Sequence, residues 1–600
     1  MTPLLLWAQP LGRINMAFAR NFARLALAST IALLAALPAA ARAETLPIIS
    51  GMDRIHPVSA QNGMVASQEA LATRVGVEIL KKGGNAVDAA VAVGFALAVT
   101  LPRAGNLGGG GFMLIHLAAK DGTDGKTLAL DYRETAPAAA TRDMFLDDNG
   151  EADPQKSRFS GLAVGVPGTV AGLVAAHRDH GSGTLTLAEL VAPAIALARD
   201  GFPVSNDLAR SLASAAKRLQ KDPATRAVFY DADGNAPAPG TILRQPDLAD
   251  TLQRIADDGA DGFYTGATAN AIAAAVTAAG GTMTPDDLAG YEVKTRQPVT
   301  GSYRGYAIAS MPPPGSGGVH IVQILNILEG FDLAKSGFGA ADTLHLMAEA
   351  MKRAYADRSR YLGDPDFVAV PVAGLTSKAY AATLRNAIDA EKATPASSLG
   401  PGDPLAYESD QTTHFSVVDA AGNAVSNTYT LNFSYGVGIM APGTGVLLNN
   451  ELDDFSAKPG VPNAYGLIGG AANAVEARKR PLSSMSPTIV FKDGKPLLVT
   501  GSPGGSRIIT TVLQIVVNVV DHGMNIAEAT LAPRMHHQWL PDEIRLEEGF
   551  SPDTIRLLEG KGHTVAEKRT MGSTQSIMVT PEGLAGASDP RRDSSLAAGY

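Results

Sequence analysis

The sequence predicts an α/β fold in which buried helices pack on β-sheets. Two kinds of segment carry this prediction: helices too apolar to lie on a surface, within residues 69–100, and runs of β-branched residues with alternating polarity after residue 412. The chain has 600 residues, which is too long for one ordinary hydrophobic core. Its length therefore predicts either two or more folding units or one unusually large layered domain.

The first 43 residues predict a cleaved secretory signal peptide. They contain four arginines and no acidic residue, an apolar run over residues 25–37, and the small-x-small sequence Ala41-Arg42-Ala43. The apolar run is shorter than the roughly 20 residues that a membrane span requires, and no later segment supplies one. We therefore expect a periplasmic or secreted protein without a membrane span.

Composition narrows the possible partners and the possible chemistry. The formal net charge is −9, and removal of residues 1–43 would make the chain more acidic, which argues against a nucleic-acid or anionic-membrane partner. The sequence contains no cysteine, so disulfides, thiolate metal ligands and cysteine nucleophiles are excluded. A nucleophile in this chain must therefore be an oxygen or an amine.

The patterns also predict the order of the elements. Residues 69–100 predict two apolar helices separated at Gly83-Gly84, and the glycine run that follows leads into strands that end at Arg133. The next elements are a mainly helical region over residues 161–300, a strand that runs into a Pro/Gly loop over residues 304–318, and a long helix over residues 345–362. Residues 392–410, rich in Pro, Ser, Gly and charge, predict an exposed linker before a region of strands.

Residues 413–432 predict a β-hairpin that brings Thr412 close to Thr430. The runs THFSVVD and AVSNTYTLN alternate in polarity and are joined by Ala-Ala-Gly-Asn, a good hairpin turn. A turn centred on the Ala-Gly step places Thr412 opposite Thr430 or its neighbour, with Asn432 one or two steps away. Periodicity alone favours a strand with a few polar residues on its solvent face, so this arrangement makes a site possible without identifying one.

Gly504 and Gly505 lie in a second candidate motif. Residues 496–523 read as a strand, a glycine turn and an apolar helix, so the two backbone N–H groups lie where a helix N-terminus favours an anion. No Gly-Lys-Ser/Thr follows, which argues against a nucleotide-binding loop. An oxyanion hole uses the same physics, and an ordinary tight turn fits the glycines equally well.

Several longer motifs stand in a fixed order along the chain: GGNAVDAA, GNLGGGGFML, DYRETAP, QTTHFSVVD, NTYTLN, LLNNELDDFS, RPLSSMSPTIV, TGSPGGSRI and GSTQSIM. Through these motifs the sequence closely resembles bacterial γ-glutamyltransferases, also called γ-glutamyltranspeptidases. The resemblance covers nearly the whole chain after residue 43. It implies the four-layer αββα sandwich of the N-terminal-nucleophile hydrolases.

The resemblance implies an inactive precursor that cuts itself immediately before a threonine. The matching bond is Gln411-Thr412. Cleavage there would give residues 44–411 as a large subunit and residues 412–600 as a small catalytic subunit, which together form one composite domain. The predicted linker then has a reason to be exposed, because the new C-terminal end must move away from the site that it uncovers.

The family's reaction would start at Thr412. A threonine hydroxyl is a poor nucleophile near neutral pH, but an N-terminal threonine carries its own α-amine, with a pKa of about 8, as a nearby base. By resemblance, the Thr412 hydroxyl attacks the γ-carbonyl of glutathione or another γ-glutamyl compound and forms an acyl-enzyme. Water, an amino acid or a dipeptide then accepts the glutamyl group. Thr430 matches a threonine that hydrogen-bonds the nucleophile, and Gly504 and Gly505 would stabilise the oxyanion.

The resemblance also implies a site for the zwitterionic end of the substrate. Arg133 would pair with the α-carboxylate, for which a guanidinium offers a two-point fork. The hydroxyls of Ser483 and Ser484 would donate to the same carboxylate. The side chains around the α-ammonium would be those of Asn432, Glu451 and Asp454.

Two positions carry further expectations from the resemblance. Residue 451 is glutamate here, whereas some bacterial relatives have glutamine, and the negative charge should strengthen the hold on an ammonium group. Residues 459–470 match the family's lid loop, in which Tyr465 would cover the bound glutamyl group. Their glycine and proline content suits a mobile cover, although an ordinary surface loop has the same content.

Two alternatives to this function stay open. A cephalosporin (glutaryl) acylase of the same superfamily acts on substrates without an α-ammonium, so Asn432, Glu451 and Asp454 favour the glutamyl substrate. An uncleaved, non-catalytic binding protein would keep the fold without the chemistry. We expect no cofactor. The adjacent His536 and His537 lack a well-spaced third ligand, so we expect no metal site.

Overall fold

Two seven-stranded antiparallel sheets form the centre of the structure, a computed structural model that describes residues 55–120, 124–399 and 412–600. The predicted signal peptide and Gln411 lie outside the described residues. The first sheet, here called the hairpin sheet, has the strand order Leu596–Gly599, Met64–Ser67, Thr413–Val418, Ala424–Thr430, Gly110–Leu117, Lys126–Tyr132 and Lys294–Arg296.

The second sheet contains the strand that leads into the glycine turn and is here called the glycine-turn sheet. Its strand order is Val58–Ala60, Gly583–Ser588, Gln575–Thr580, Lys495–Thr500, Thr488–Lys492, Tyr306–Ser310 and Val299–Tyr303. Short strands pair outside both sheets: Phe202–Pro203 with Ile242–Leu243, Met440–Ala441 with Val446–Leu447, and Met535–His536 with Ile544–Leu546, which also pairs with Val565–Glu567.

Helices pack on the outer faces of the two sheets and on one another. The helices that precede the strand Val299–Tyr303 are Ala70–Lys81, Ala86–Thr100, Pro154–Phe159, Thr169–His180, Leu187–Asp200, Asn206–Leu219, Pro223–Phe229, Pro246–Asp258, Asp261–Tyr264, Gly266–Ala278 and Pro285–Ala289. The later helices are Gly317–Leu328, Leu333–Ser336, Ala341–Tyr361, Val372–Leu375, Lys378–Asn386, Ile508–Val520, Ile526–Leu531 and Pro552–Gly560. Short 3₁₀ turns occur at Gly161–Ala163, Ala396–Ser398, Glu451–Asp454, Ala471–Asn473 and Gly505–Arg507.

Side chains along the strands of the hairpin sheet point alternately to two different cores, which explains the order of the layers. Phe415 and Val417 face a core that they share with the helix Ala86–Thr100. Neighbouring strand residues such as Leu114 and Val418 belong instead to a second core, which the glycine-turn sheet and the helix Gly317–Leu328 share. Because successive strand residues point to opposite faces, the order of layers is helix, sheet, sheet, helix. The predicted four-layer αββα sandwich is therefore confirmed.

The two sheets meet partly through hydroxyl groups. The Ser426 hydroxyl donates to the carbonyl of Thr500 at 2.9 Å, and the Ser416 hydroxyl donates to the carbonyl of Gln575 at 2.9 Å. Every residue of the strands Thr413–Val418 and Ala424–Thr430 is buried. The polar residues of the hairpin thus lie between the sheets, and the alternative of a solvent-facing strand is wrong.

The predicted local elements are present near their predicted positions. Asn85 caps the helix Ala86–Thr100 by accepting hydrogen bonds from the backbone N–H groups of Val87 and Asp88, and every residue of this helix is buried. The hairpin register pairs Thr413 with Tyr429, as the turn arithmetic predicts.

The start of the predicted linker differs from the prediction. The Trp539 indole N–H donates to the carbonyl of Ala396 at 2.9 Å, and Ala396 is buried, so the expected exposure is wrong at that residue.

Within the described ranges, none of the helices combines the length and the apolar character needed to cross a lipid bilayer.

Candidate active site

Most of the predicted site residues meet around one small cavity between the ends of the two sheets. The cavity has a volume of about 20 Å³. Its lining includes Thr412, Thr430, Asn432, Glu451, Asp454, Tyr465, Ser483, Ser484 and Gly505. Arg133 lies directly behind this lining, in contact with the two acidic residues, whereas Gly504 precedes Gly505 and does not itself line the cavity.

The hairpin places two threonine hydroxyls together at the cavity. Thr412 Oγ1 donates to Thr430 Oγ1 across 3.4 Å, and the backbone N–H of Asn432 donates to the same Thr430 oxygen at 2.9 Å. Thr412 and Thr430 both line the cavity, and Thr412 is 8% exposed whereas Thr430 is 3% exposed. The hairpin thus presents two hydroxyl-bearing residues to the cavity, and Thr412 is the more exposed of them.

Thr413 and His414, which follow Thr412, do not line the cavity. The His414 ring pairs with the hydroxyls of Thr428, at 2.8 Å, and Ser416, at 3.1 Å. Burial lowers the pKa of His414 to about 3, so the imidazole stays neutral inside the sandwich. His414 is therefore a buried strand residue that holds hydroxyl groups.

Arg133 forms the centre of a buried ionic cluster. Its guanidinium contacts a Glu451 oxygen through Nη1 and an Asp454 oxygen through Nη2, the latter at 2.6 Å. Glu134 adds a third carboxylate, 3.6 Å from Arg133 Nη1. The sequence analysis predicted site roles for Arg133, Glu451 and Asp454. It assigned no role to Glu134, although Glu134 lies next to Arg133 in the DYRETAP motif.

The charges of this cluster are unbalanced. Burial raises the pKa of Glu451 well above its usual value, and the adjoining carboxylates of Glu134 and Asp454 add to that rise, while Arg133 opposes it. Burial likewise raises the pKa of Asp454. Glu451 Oε2 has no hydrogen-bond donor among the described residues. An additional cation would satisfy the oxygen and relieve the repulsion between carboxylates, which is the property expected of an ammonium-binding pocket.

Ser483 and Ser484 are held by contacts that the sequence did not reveal. Arg358 donates through Nη2 to the Ser484 hydroxyl oxygen at 3.1 Å and through Nε to the Ser316 hydroxyl oxygen at 2.9 Å. The Ser316 hydroxyl in turn donates to the carbonyl of Ser483 at 2.7 Å. Since the Ser484 oxygen accepts the guanidinium hydrogen, its own hydroxyl hydrogen is available to an acceptor in the cavity. Nothing in the helical pattern distinguishes Arg358 from the exposed Arg360.

The glycine turn adopts a backbone that only glycine takes readily. Gly504 has φ +138° and Gly505 has φ +54°, and the helix Ile508–Val520 follows one 3₁₀ turn later. The Tyr355 hydroxyl donates to the carbonyl of Ser506 at 2.5 Å and fixes the position of the turn. The strand, turn and helix predicted for this motif are therefore present, with Gly505 at the cavity.

Tyr465 closes the cavity on the side of Asn432. Its hydroxyl donates to the side-chain carbonyl of Asn432 and lies 3.2 Å from the backbone carbonyl of the same residue. Asn432 has φ +69°, a conformation that asparagine tolerates better than most residues. A volume of about 20 Å³ holds roughly one water molecule, so the cavity in this structure is too small for a glutamyl group.

Among the described residues, one cluster of potential metal ligands lies outside the cavity lining. His345, Glu349 and His563 bring their ligand atoms within 4.8 Å of one another. The Glu349 carboxylate already pairs with Lys352 and, at 2.7 Å, with Arg353, so two buried cations oppose a metal ion there. The sequence did not single out these residues, because their spacing resembles no common metal motif.

Comparisons with known proteins agree with the sequence resemblance. A family model described as Gamma-glutamyltranspeptidase matches residues 72–599. The chain is 60% identical over 566 residues to the glutathione hydrolase proenzyme of Escherichia coli (strain K12). The alignment covers 94% of this chain and 96% of that protein.

The fold is also similar to those of solved structures. The cephalosporin acylase from Bacillus halodurans matches with a TM-score of 0.79 and 30% identity, over 92% of this chain and 98% of that chain. The Helicobacter pylori gamma-glutamyltranspeptidase matches with a TM-score of 0.54 and 46% identity, over 59% of this chain and 97% of that chain.

Proposed function

The chain belongs to the gamma-glutamyltranspeptidase family, and we propose that its reaction takes place at Thr412 in the small cavity. The protein is an enzyme of the glutathione hydrolase type, made as a proenzyme, and it cleaves the γ-glutamyl amide of glutathione and related compounds. The observation that best supports the proposed site is the convergence of the Thr412 hydroxyl, the Arg133 cluster and the glycine turn on one cavity.

Thr412 acts as the nucleophile after its own α-amine has been released. The hydrogen bond of 3.4 Å to Thr430 orients the Thr412 hydroxyl, and the free amine removes its proton as it attacks the γ-carbonyl. Backbone N–H groups of Gly504 and Gly505 stabilise the resulting oxyanion. The amine of the substrate leaves with the proton, and an ester joins the glutamyl group to Thr412. Water then completes hydrolysis, while an amino acid or dipeptide completes transfer.

The zwitterionic end of the glutamyl group binds between the Arg133 cluster and the serine pair. The α-ammonium replaces part of the contact between Arg133 and the carboxylates of Glu451 and Asp454, and Asn432 contributes its amide. The freed guanidinium and the hydroxyls of Ser483 and Ser484 hold the α-carboxylate. Support comes from the surplus of buried negative charge, which an ammonium group neutralises.

Maturation consists of cleavage of the Gln411-Thr412 bond. It separates residues 44–411 from residues 412–600 and turns the Thr412 peptide nitrogen into the amine that the mechanism requires. Gln411 lies outside the described residues, so the proposal rests on the position of Thr412 at the cavity and on the proenzyme character of the relatives. The N-terminal sequence supports export after removal of residues 1–43.

The acylase alternative differs from this proposal at the ammonium pocket. A glutaryl amide has no α-ammonium and would leave the carboxylates of Glu451 and Asp454 without a cationic partner from the substrate. We therefore expect a γ-glutamyl anilide to be hydrolysed faster than the corresponding glutaryl anilide. A preference for the glutaryl compound would favour the acylase.

A denaturing gel tests the nucleophile and the maturation together. The purified wild-type protein should show two fragments, and Thr412→Ala should show one uncut chain without hydrolase activity. Thr413→Val is the matched control, since Thr413 is buried in the adjoining strand position and gains no free amine; it should be cut like the wild type. An uncut wild-type protein that still hydrolyses glutathione would refute the mechanism.

A further inference from the structure

Gln538 connects the loop that carries Tyr465 with the glycine turn. Its side-chain oxygen accepts a hydrogen bond from the Ser506 hydroxyl at 2.8 Å, and Ser506 directly follows Gly505 at the cavity. At the other end of the same amide, Nε2 donates to the backbone carbonyls of Tyr465, at 3.3 Å, and Gly466, at 3.4 Å. One side chain therefore bridges the loop that closes the cavity and the turn that carries the proposed oxyanion donors.

The surrounding groups determine which way the Gln538 amide points. Backbone carbonyls can only accept, so the three around Nε2, those of Tyr465, Gly466 and Leu540, require the amino group there. The amide oxygen meets a second donor, His536 Nε2, at 2.9 Å. Burial lowers the pKa of His536 to about 3, so its ring is neutral and carries its single proton on Nε2. The site thus requires a side chain that accepts at one end and donates at the other, which an amide does without a charge.

The two ends of this link differ in strength. The contacts of the oxygen measure 2.8 and 2.9 Å, whereas those of the nitrogen measure between 3.2 and 3.4 Å and share two hydrogens among three carbonyls. Gly466 has φ +71°, and a Cβ added there would lie 3.1 Å from Gln538 Nε2, so glycine lets the loop lie close to the amide. Gln538 is therefore bound firmly to the turn and holds the loop through weaker contacts.

Neighbours on both sides fix the position of Gln538. The His536 ring packs edge-on against the ring of Tyr355, at 5.9 Å between ring centres, and Tyr355 also holds the glycine turn. Trp539 has φ +70°, a strained conformation for a bulky residue, and its indole donates to the carbonyl of the buried Ala396. Strain of this kind persists only where the surrounding contacts over-determine the backbone, and it is frequent at functional sites.

We propose that Gln538 is a positioning residue that couples the cover of the glutamyl pocket to the oxyanion turn. With Tyr465 over the pocket, the amide joins the loop to the Ser506 hydroxyl, so the turn takes its reactive geometry when the pocket is covered. This rests on the proposed function, in particular on Tyr465 as the cover and on Gly505 as an oxyanion donor. Gln538 does not line the cavity and therefore acts through these residues.

Two substitutions separate the ends of the link. Gln538→Met keeps the length of the side chain but offers no donor and only a weak acceptor, so the KM for γ-glutamyl-p-nitroanilide should rise about fivefold and kcat should fall about tenfold. Ser506→Ala removes only the hydroxyl at the turn, so kcat should fall about threefold while KM stays within about twofold. The double variant should show a kcat no lower than that of Gln538→Met, since both substitutions break the same contact.

Gln514→Met is the matched control for a loss of buried hydrogen bonds. Gln514 is 6% exposed, and its Nε2 donates to the carbonyls of Thr510, at 2.7 Å, and Met535, at 2.8 Å, so these bonds do not reach the loop or the glycine turn. This variant should lose thermal stability as Gln538→Met does, but should keep KM and kcat within about twofold of the wild type. All rates are expressed per cleaved chain, counted on a denaturing gel, because an uncut precursor lacks the amine of Thr412.

The outcomes distinguish the link from the function on which it rests. Wild-type constants in Gln538→Met, additive losses in the double variant, or equal changes in Gln514→Met would overturn the link, and hydrolysis of the anilide would still support Thr412 as the nucleophile. If Gln538→Met yields no cleaved protein, Ser506→Ala decides, because a lower kcat at constant KM supports the link and an unchanged kcat overturns it. Hydrolysis that persists in Thr412→Ala would instead refute the proposed function.

Discussion

Asp454, like Glu451 on the same guanidinium, is a buried carboxyl group of the glutamyl pocket that responds to pH. Burial raises its pKa to about 6, although Arg133 at 2.6 Å opposes the rise. Below that pH the carboxyl group is protonated in the ligand-free enzyme and cannot attract an α-ammonium. Ligand binding favours the ionised form, so affinity is present above the raised pKa and is lost as the pH falls through it.

We therefore expect the affinity for L-glutamate, measured as competitive inhibition of anilide hydrolysis, to weaken at least about tenfold between pH 7 and pH 5, since at least one proton must leave on binding. Asp454→Asn should bind L-glutamate more weakly at pH 7 and show a smaller pH dependence, and the part that remains should come from Glu451. Asp453→Asn is a useful comparison, because Asp453 lies beside it, pairs with Ser157 at 2.7 Å and does not line the cavity. An unchanged pH slope in Asp454→Asn would contradict the assignment.

Individual residues differ in how far the sequence could predict their positions. Thr412 and Thr430 follow from local hairpin arithmetic, because one turn determines both. The contact of Arg133 with Glu451 joins residues far apart in the chain, and no local pattern fixes such a distance; only the family motif suggested that they share a site. The motif described them as facing a ligand, whereas the structure shows them facing each other.

The helix Ala341–Tyr361 provides support from behind the cavity. Tyr355 holds the glycine turn through the carbonyl of Ser506, and Arg358 holds Ser484 and Ser316. Residues three apart lie on the same face of a helix, so one element can position the oxyanion site and the carboxylate site together. After the proposed cleavage this helix would belong to the large subunit and the residues that it holds, apart from Ser316, to the small subunit.

Arg358→Gln should therefore raise the KM for γ-glutamyl-p-nitroanilide about tenfold, because Ser484 loses the charged donor that orients its hydroxyl, and should change kcat less. Arg358→Lys should recover part of the loss. The matched control is Arg360→Gln, which removes the same charge from an exposed position on the same helix. Parallel falls in kcat and stability without a change in KM would assign Arg358 a purely structural role.

Elements with local signals agree with the sequence predictions more closely than elements that depend on distant packing. The capped helix Ala86–Thr100 and the hairpin follow from side chains within their own segments. The burial of Ala396 follows instead from Trp539, far along the chain. A linker composition cannot anticipate that contact, since the composition describes only the segment itself.

Each of the two large sheets contains strands from both sides of the proposed cleavage point. In the hairpin sheet, Thr413–Val418 pairs with Met64–Ser67, and Ala424–Thr430 pairs with Gly110–Leu117. In the glycine-turn sheet, Thr488–Lys492 pairs with Tyr306–Ser310. Separation of the two subunits would break hydrogen-bonded ladders in both sheets and expose both cores.

We expect the processed subunits to stay associated until the whole protein unfolds. In urea, circular dichroism should show one transition, and its midpoint should rise with protein concentration because unfolding releases two chains. The uncut Thr412→Ala chain should show a midpoint that does not depend on concentration. Size-exclusion chromatography that separates the fragments below the transition would contradict the shared sheets.

The interleaved strands also limit how such a protein can be produced. While both parts belong to one polypeptide, each meets the other at an effective concentration of about the millimolar range, which depends on the connecting segment. Two separately translated parts would have to meet by diffusion, and each would present unpaired strand edges that favour aggregation. Synthesis as one chain followed by a cut thus solves an assembly problem as well as releasing the amine of Thr412, and a gene divided at residue 411 would be a poor substitute for the intact one.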